Sequence, residues 1–283
     1  MILFDRRVAL TLAKPVDGSY SAQQPNATVV TDLRVMFSIE KKLTSSPNTC
    51  TATVYNMNEA SRAELQRKPV HVTIDAGYAD NIERIFRGDL TYAESTKDGV
   101  DWATKLQLGD ADRAIKHARV NRSYKGGTNL KTLVGDAAAA MGMKIPTGLS
   151  DISGIGAQFA SGTTLSGTAA KELTRNLSPR GLGWSVQDGQ LQILGGSDTR
   201  KDEAWLVSQD TGLIGVPEFG SPIDKGKAPT LSFRMLLTPG LTPGGRVQMA
   251  SASLKGTFKV LSVTHTGDTH GDDWFTEVEA KPL

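Results

Sequence analysis

Apolar and polar residues alternate most cleanly over residues 86–107, FRGDLTYAESTKDGVDWATKLQ. Phe86, Gly88, Leu90 and Tyr92 fall on one face of a strand, with Trp102, Thr104, Leu106 and Leu108 on the same face of its partner. Arg87, Asp89, Thr91, Lys105 and Gln107 take the other face, and Lys97-Asp98-Gly99 supplies the turn. A period of two around a turn signal predicts one long β-hairpin.

The pattern returns in residues 258–279, FKVLSVTHTGDTHGDDWFTEVE. Trp274 minus Trp102 is 172, and that offset also aligns Phe86 with Phe258, Gly99 with Gly271, Asp101 with Asp273 and Thr104 with Thr276. Trp stands at four positions in the chain, so its recurrence in the same turn context is informative. These pairs are expected to be equivalent positions of a duplicated β module. The second hairpin is expected to be apolar on both faces: Phe258, Val260, Trp274 and Val278 on one, Leu261, Val263 and Phe275 on the other. Such a hairpin needs cover on both sides, from another domain or another subunit.

Along the rest of the chain, residues 1–13 predict a first strand and residues 14–27 a loop rich in Pro, Gly, Ser and Gln. Strands are expected over 29–42, 48–55 and 70–76, with a short helix after the Asn58 cap that turns Leu65 inward. This set is enough to close a small barrel. From Gly109 the texture changes. Residues 112–118 form a helical turn, and Leu130, Leu133, Val134, Ala137, Ala138 and Met141 carry a helical period that ends near Gly142. Residues 146–167 have no assignable period, residues 168–177 form a second helix, and Asp188-Gly189 makes a type I′ hairpin turn. Strands then resume at 204–208, 230–237 and 246–251, and a Pro/Gly loop at 239–245 stands where the first module has its short helix. The expected fold class is mainly β, with two tube-type β-barrels in one chain flanking a small α+β insertion. The expected boundaries are 1–110, 111–196 and 197–283.

Composition narrows the function classes. At 283 residues the chain holds a sizeable core and room for two or three domains. A net charge of +2 is too balanced to argue for nucleic acid or membrane binding on electrostatics. Cys50 stands alone, which rules out an intrachain disulfide framework and a cysteine-based metal site. Arg6 and Arg7 interrupt the segment where a signal peptide needs its apolar core, and no apolar run approaches the roughly 20 residues of a membrane span.

Candidate chemistry is thin. His265, Asp268, His270, Asp272 and Asp273 offer nitrogen and oxygen ligands, but a polar hairpin tip accounts for them equally, and no metal is assigned. Asp101 and Asp273 precede Trp at matching places, yet they lie in different modules and do not form a hydrolytic pair. No GxSxG elbow occurs, and the Gly/Ser stretches at 153–158 and 161–167 lack a P-loop lysine. No catalytic, cofactor-binding or metal residue is therefore expected.

Four segments, TCTATVYNMNEASRAELQ, IFRGDLTYAESTKDGVDWATKLQLGD, LLTPGLTPGGRVQM and GTFKVLSVTHTGDTHGDDWFTEVE, resemble the baseplate hub proteins of phage tails. They are similar as well to the hub module of type VI secretion spikes. The resemblance covers most of the chain and implies two tube-forming barrels per chain around an inserted domain. It implies a homotrimer that adapts a six-fold tail tube to a three-fold central spike. The implied partners are the tail tube protein, the spike protein and other baseplate proteins, with the tape measure protein a further candidate. DNA would pass through the channel without specific binding. The implied location is the virion baseplate, after synthesis in the host cytoplasm, with no cofactor and no membrane anchor. The inserted domain would be LysM-like, as some members' are. A tail-tip cell-wall hydrolase and a host carbohydrate-binding module are the alternatives.

Overall fold

A computed structural model describes residues 5–13, 27–66, 70–79, 81–144, 148–201, 203–220 and 229–283. The expected strand at 1–13 is seen from Arg6, and the expected loop at 14–27 lies almost wholly outside the described residues. In chain order the N-terminal strands are β1 (Arg6–Ala13), β2 (Thr28–Val30), β3 (Val35–Lys42), β4 (Thr49–Tyr55), β5 (His71–Tyr78), β6 (Asn81–Asp98) and β7 (Asp101–Gly109). Helix α1 (Glu59–Gln66) lies between β4 and β5. Its Asn58 cap accepts from the Ser61 amide at 2.8 Å, and Leu65 is buried as the pattern predicts.

The middle of the chain carries α2 (Asp112–His117), β8 (Arg119–Tyr124), β9 (Thr128–Asn129), α3 (Leu130–Ala140), β10 (Gln158–Phe159), β11 (Thr163–Thr168), α4 (Ala169–Leu177), β12 (Leu182–Gln187) and β13 (Gln190–Gly195). Asn129 caps α3 by accepting from the Thr132 amide at 2.9 Å, and Asp188 and Gly189 take the positive φ angles of 53° and 78° that a type I′ turn requires. Sequence periodicity missed β8 to β11 because each is short and mostly solvated. The last third holds β14 (Trp205–Val207), β15 (Leu213–Phe219), β16 (Leu231–Leu236), β17 (Arg246–Ala250), β18 (Lys255–Asp268) and β19 (Trp274–Pro282).

Among the described residues thirteen strands join into one mainly antiparallel sheet, whose main path runs β15-β16-β19-β18-β3-β4-β7-β6-β5-β1-β2, with β17 on β18 and β14 on β17. No ladder among the described residues closes this path into a ring. Three apolar clusters form among the described residues. One gathers residues from Val8 to Leu108 with Leu237 and Trp274, one lies within residues 111–193, and one within 207–280.

Two expectations about faces are corrected by β-bulges. The β6·β7 register slips between Leu90 and Tyr92, so Thr91 is the extra residue and every later side chain of β6 changes face. Tyr92 therefore points to solvent at 43% exposure, and Ala93 takes the inner face opposite Leu106. The β18·β19 register slips likewise between Val260 and Ser262. Val263 then lies inside, opposite Val278, and the second hairpin has one apolar face where two were expected. On its other face Phe275 is half-buried beneath the Arg234 guanidinium, 4.2 Å from the ring centroid.

Candidate functional site

The place where the two halves of the sheet meet is built from the outer half of the second hairpin. One edge of β18 pairs with β19 throughout. Its other edge is divided: residues 255–259 pair with β17, and residues 262–268 pair with β3 in register from Ser262 opposite Lys42 to Asp268 opposite Met36. The hairpin tip is fastened into the N-terminal half. Arg34 donates to both carboxylate oxygens of Asp268 at 3.2 and 2.7 Å. The Thr269 amide donates to Val35 O at 3.1 Å, and the Val35 amide returns a bond to Thr269 Oγ1 at 3.0 Å. Arg6 donates to Gly271 O at 2.5 Å. Trp274 is buried in the N-terminal core, edge-on to Phe37 and Tyr78 with centroids 5.7 and 6.3 Å away.

The electrostatics follow from that packing. Arg34 beside Asp268 holds the carboxyl below the usual carboxylate range, aided by the His270 amide at 2.9 Å. Burial, with Lys41 nearby, pushes the His265 imidazole down to about 3. His265 Nδ1 lies 2.9 Å from Thr276 Oγ1, which fits a neutral ring accepting from a hydroxyl.

A second joint fastens the middle segment to both halves. The turn at Asp188-Gly189 inserts beside Asp110, whose oxygens accept from the two turn amides at 2.7 and 2.9 Å. Lys41, with no exposed surface, donates to both oxygens of Asp188 at 2.9 and 2.7 Å. Asn48 donates to Val186 O at 2.7 Å, and Gln187 donates to Lys42 O at 2.9 Å. On the far side Lys259 donates to Gly195 O at 3.1 Å and Lys281 donates to Gly196 O. These lysines line a cleft of about 250 Å³ with Trp184, Leu194 and Leu261. Burial, and then Lys281, lowers the Lys259 ammonium to about 8.

The ladder registers locate the residues aligned by sequence. Trp102, Thr104, Leu106 and Leu108 pair with Lys97, Ser95, Ala93 and Leu90. Trp274, Thr276, Val278 and Ala280 pair with Gly267, His265, Val263 and Val260. Counted from the bulge, the second strands correspond at an offset of 172. The first strands correspond at 170, since His265 minus Ser95 and Val260 minus Leu90 are both 170. The tips account for the difference: Asp98 pairs with Asp101 across two residues, whereas the Asp268 amide meets Asp273 O across four. Asp101 and Asp273 thus stand at like places beside the two Trp. Phe86 and Phe258 are both buried but two positions apart in register, and Gly99 and Gly271 lie within tips of different length. Trp102, unlike Trp274, is 39% exposed and stacks with Arg62 at 4.0 Å.

The five polar residues of the second tip do not converge, and among the described residues no group of three or more His, Cys, Asp or Glu is placed to hold a metal ion. His265 is inside the sheet, and Asp268 is occupied by Arg34. Sequence reasoning missed Arg34, Lys41, Asn48 and Asp110, because a strand pattern places them on polar or terminal positions. The Asp188-Gly189 turn was visible, but nothing local showed that it docks. No helix among the described residues is long and apolar enough to cross a membrane.

Comparison with known proteins agrees with this architecture. The family model described as baseplate hub gp41 matches residues 7–280. No functionally curated protein matches the sequence. Among solved structures, a tail protein from Neisseria meningitidis MC58 superposes with a TM-score of 0.66 at 12% identity, covering 98% of this chain and 97% of that one. The 43 kDa tail protein of prophage MuSo2 from Shewanella oneidensis gives a TM-score of 0.67 at 11% identity, with 98% and 97% covered. The E. coli c3393 protein, a component of the type VI secretion system, gives 0.63 at 11% identity, with 89% and 74% covered.

Proposed function

The chain belongs to the baseplate hub gp41 family, and on that premise we propose that it is a structural, non-enzymatic hub that works as a homotrimer between a six-fold tail tube and a three-fold spike. One observation carries this reading. Along the sheet the quartet β15-β16-β19-β18 is followed by the quartet β3-β4-β7-β6. Within each, corresponding strands meet in corresponding register: Cys50, Ala52 and Val54 pair with Leu108, Leu106 and Thr104, as Leu231, Phe233 and Met235 pair with Ala280, Val278 and Thr276. The chain therefore holds two like modules joined head to tail by the contact of β18 with β3.

A head-to-tail contact leaves complementary ends. The outer half of β6, residues 92–98, pairs with β7 on one edge, while on the other edge the described residues reach only 81–89, through β5. At the opposite end β15 pairs, among the described residues, with β16 alone and exposes Ile214, Val216 and Phe219. The β6 edge of one copy would receive β15 of the next, as β18 receives β3 within the chain. Three copies then supply six quartets, and a heterologous contact that closes gives a ring. We read residues 1–110 and 197–283 as the two tube-type modules, each curving toward a barrel, and 111–196 as the inserted α+β unit.

The quartets turn Thr51, Thr53, Thr264 and Thr266, with Glu40, Lys42, Lys105 and Glu277, away from the cores. Interleaved charges of both signs suit the wall of a passage through which DNA moves without being held. The tail tube and spike proteins are the expected partners within the virion, with other baseplate proteins and the tape measure protein around them.

Light scattering tests the reading. The expected mass is three times 30.2 kDa, for the chain alone or with its tube and spike partners. Ile214→Lys combined with Val216→Lys should give a folded monomer, and Ser95→Cys with Phe219→Cys should cross-link neighbouring copies. A monomer that persists with both partners present refutes the trimer. A zymogram against peptidoglycan is expected to stay blank, and a cleared band would favour a hydrolase.

A further inference from the structure

The hairpin β12–β13 is held to the N-terminal half through three ionisable side chains of unequal charge, Lys41 and Asp110 fully buried and Asp188 a quarter exposed. Lys41 and Asp188 neutralise one another at 2.7 Å. Asp110, with no exposed surface, is the second carboxyl, and among the described residues no second cation bonds to it. Its oxygens receive the Asp188 and Gly189 amides and, more weakly, Asn48 Nδ2 at 3.4 Å. Those donors stabilise a carboxylate, but they do not cancel a charge held beside the Asp188 carboxylate at a position that water does not reach. A proton on Asp110 removes that charge.

We propose that the socket around Asp110 is a proton-binding site, and that its occupancy sets how firmly the hairpin β12–β13 is latched to the sheet. With the proton bound, the joint is neutral. With the proton released, it carries one net negative charge, and withdrawal of the Asp188-Gly189 turn lets Asp110 reach water. The groups facing this site from the neighbouring elements do not supply the missing charge. On β3 it is Lys41, already committed to Asp188. On β4 the Cys50 thiol is pushed well up by burial and stays neutral. On β18 His265 stays neutral above about 3. On β6 the Arg87 guanidinium passes Gly189 and donates from Nε to His71 Nε2 at 3.0 Å, and the buried Asp89 carboxylate, 3.4 Å from His71 Nδ1, matches that cation with a charge of its own. On α2 Asp112 is paired with Lys116 at 2.8 Å.

The sign follows from linkage. Burial, with Asp188 alongside, raises the Asp110 carboxyl to about 7, whereas an open hairpin returns it to the ordinary carboxylate range. A group raised in the closed state holds the joint most tightly at low pH. Its contribution is lost as pH rises through the closed-state value, after which the dependence levels off. Between the two titration points one released proton increases opening about tenfold per pH unit.

Amide hydrogen exchange of the full-length chain tests this. After division by the intrinsic rate at each pH, protection at residues 184–191 should fall with rising pH and level off near 7. Asp110→Asn mimics the protonated carboxyl and should abolish the slope at these residues. Protection that is flat with pH in the wild type, or a slope that survives in D110N, overturns the proposal. Should D110N fail to fold, the side-chain carboxyl ¹³C signal of Asp110 decides: titration near neutrality supports the latch, and titration below pH 5 overturns it.

Discussion

Trp274 meets Phe37 edge-on at 5.7 Å although the two residues belong to opposite ends of the chain. An edge-to-face pair inside a core adds to the burial of two large rings. The tip of the second hairpin is thus part of the N-terminal core, and the two sheet halves are expected to unfold together. Trp274→Ala should cost about 3–5 kcal/mol. Trp102→Ala removes only a partly exposed stack on Arg62, about 0.5–1 kcal/mol. Thermal unfolding of the two variants checks this: a single large downward shift is expected for W274A and little change for W102A.

Gly267 is where this approach is closest. A Cβ there would stand 2.3 Å from Phe37 Cζ and 2.9 Å from Trp274 Cε3. Two buried rings have nowhere to retreat in a close-packed core. Gly267→Ala is expected to destabilise by about 1–3 kcal/mol through overpacking. A denaturant midpoint equal to that of the wild type would show that the rings yield freely.

Acid should loosen the same seam. His265 is depressed from 6.5 to about 3 in the folded state. Its contribution is present above 6.5 and lost as pH falls toward 3. Asp268, lowered by Arg34, keeps its contribution above the ordinary carboxylate value and loses it as pH falls through its folded one. Over this range Asp110, whose carboxyl is raised, gains as these two groups lose, so the fall in melting temperature from pH 6 to pH 3 should be steeper in D110N than in the wild type. His265→Gln should flatten the upper part of that fall and Asp268→Asn the lower part.

Cys50 lies at 2% exposure on β4, and burial raises its thiol. The thiolate is the reactive form, so the residue is expected to be inert in the folded chain. A disulfide reagent at pH 8 should find no thiol until guanidinium is added, and one thiol thereafter. Reaction at the native state would mean that β4 opens far more readily than its place between β3 and β7 suggests.

The strand periods and turn residues were legible because both are local. Alternation over residues 101–108 places Thr104, Leu106 and Leu108 inside whatever they pair with, and Asp188-Gly189 specifies its turn through two backbone angles. The two bulges were not legible. Thr91 and Leu261 look like any strand residue, and the extra residue is defined only against the partner strand. That is why Tyr92 and Val263 were expected on the wrong faces. In ladder register the second strands of the two hairpins lie 172 apart, while the longer second tip puts the first strands 170 apart and parts Phe86 from Phe258.

Composition and period by themselves determined a β-rich chain with a helical interlude and two similar hairpins. These follow from side-chain alternation, which each segment carries alone. Only the tertiary structure decided that one strand serves both halves, that Trp274 is buried where Trp102 is exposed, and that Asp110 receives a turn far along the chain. Those outcomes depend on which edge of β18 faces β3 and which backbone donors reach a buried carboxylate. No residue encodes them until its partner is in place.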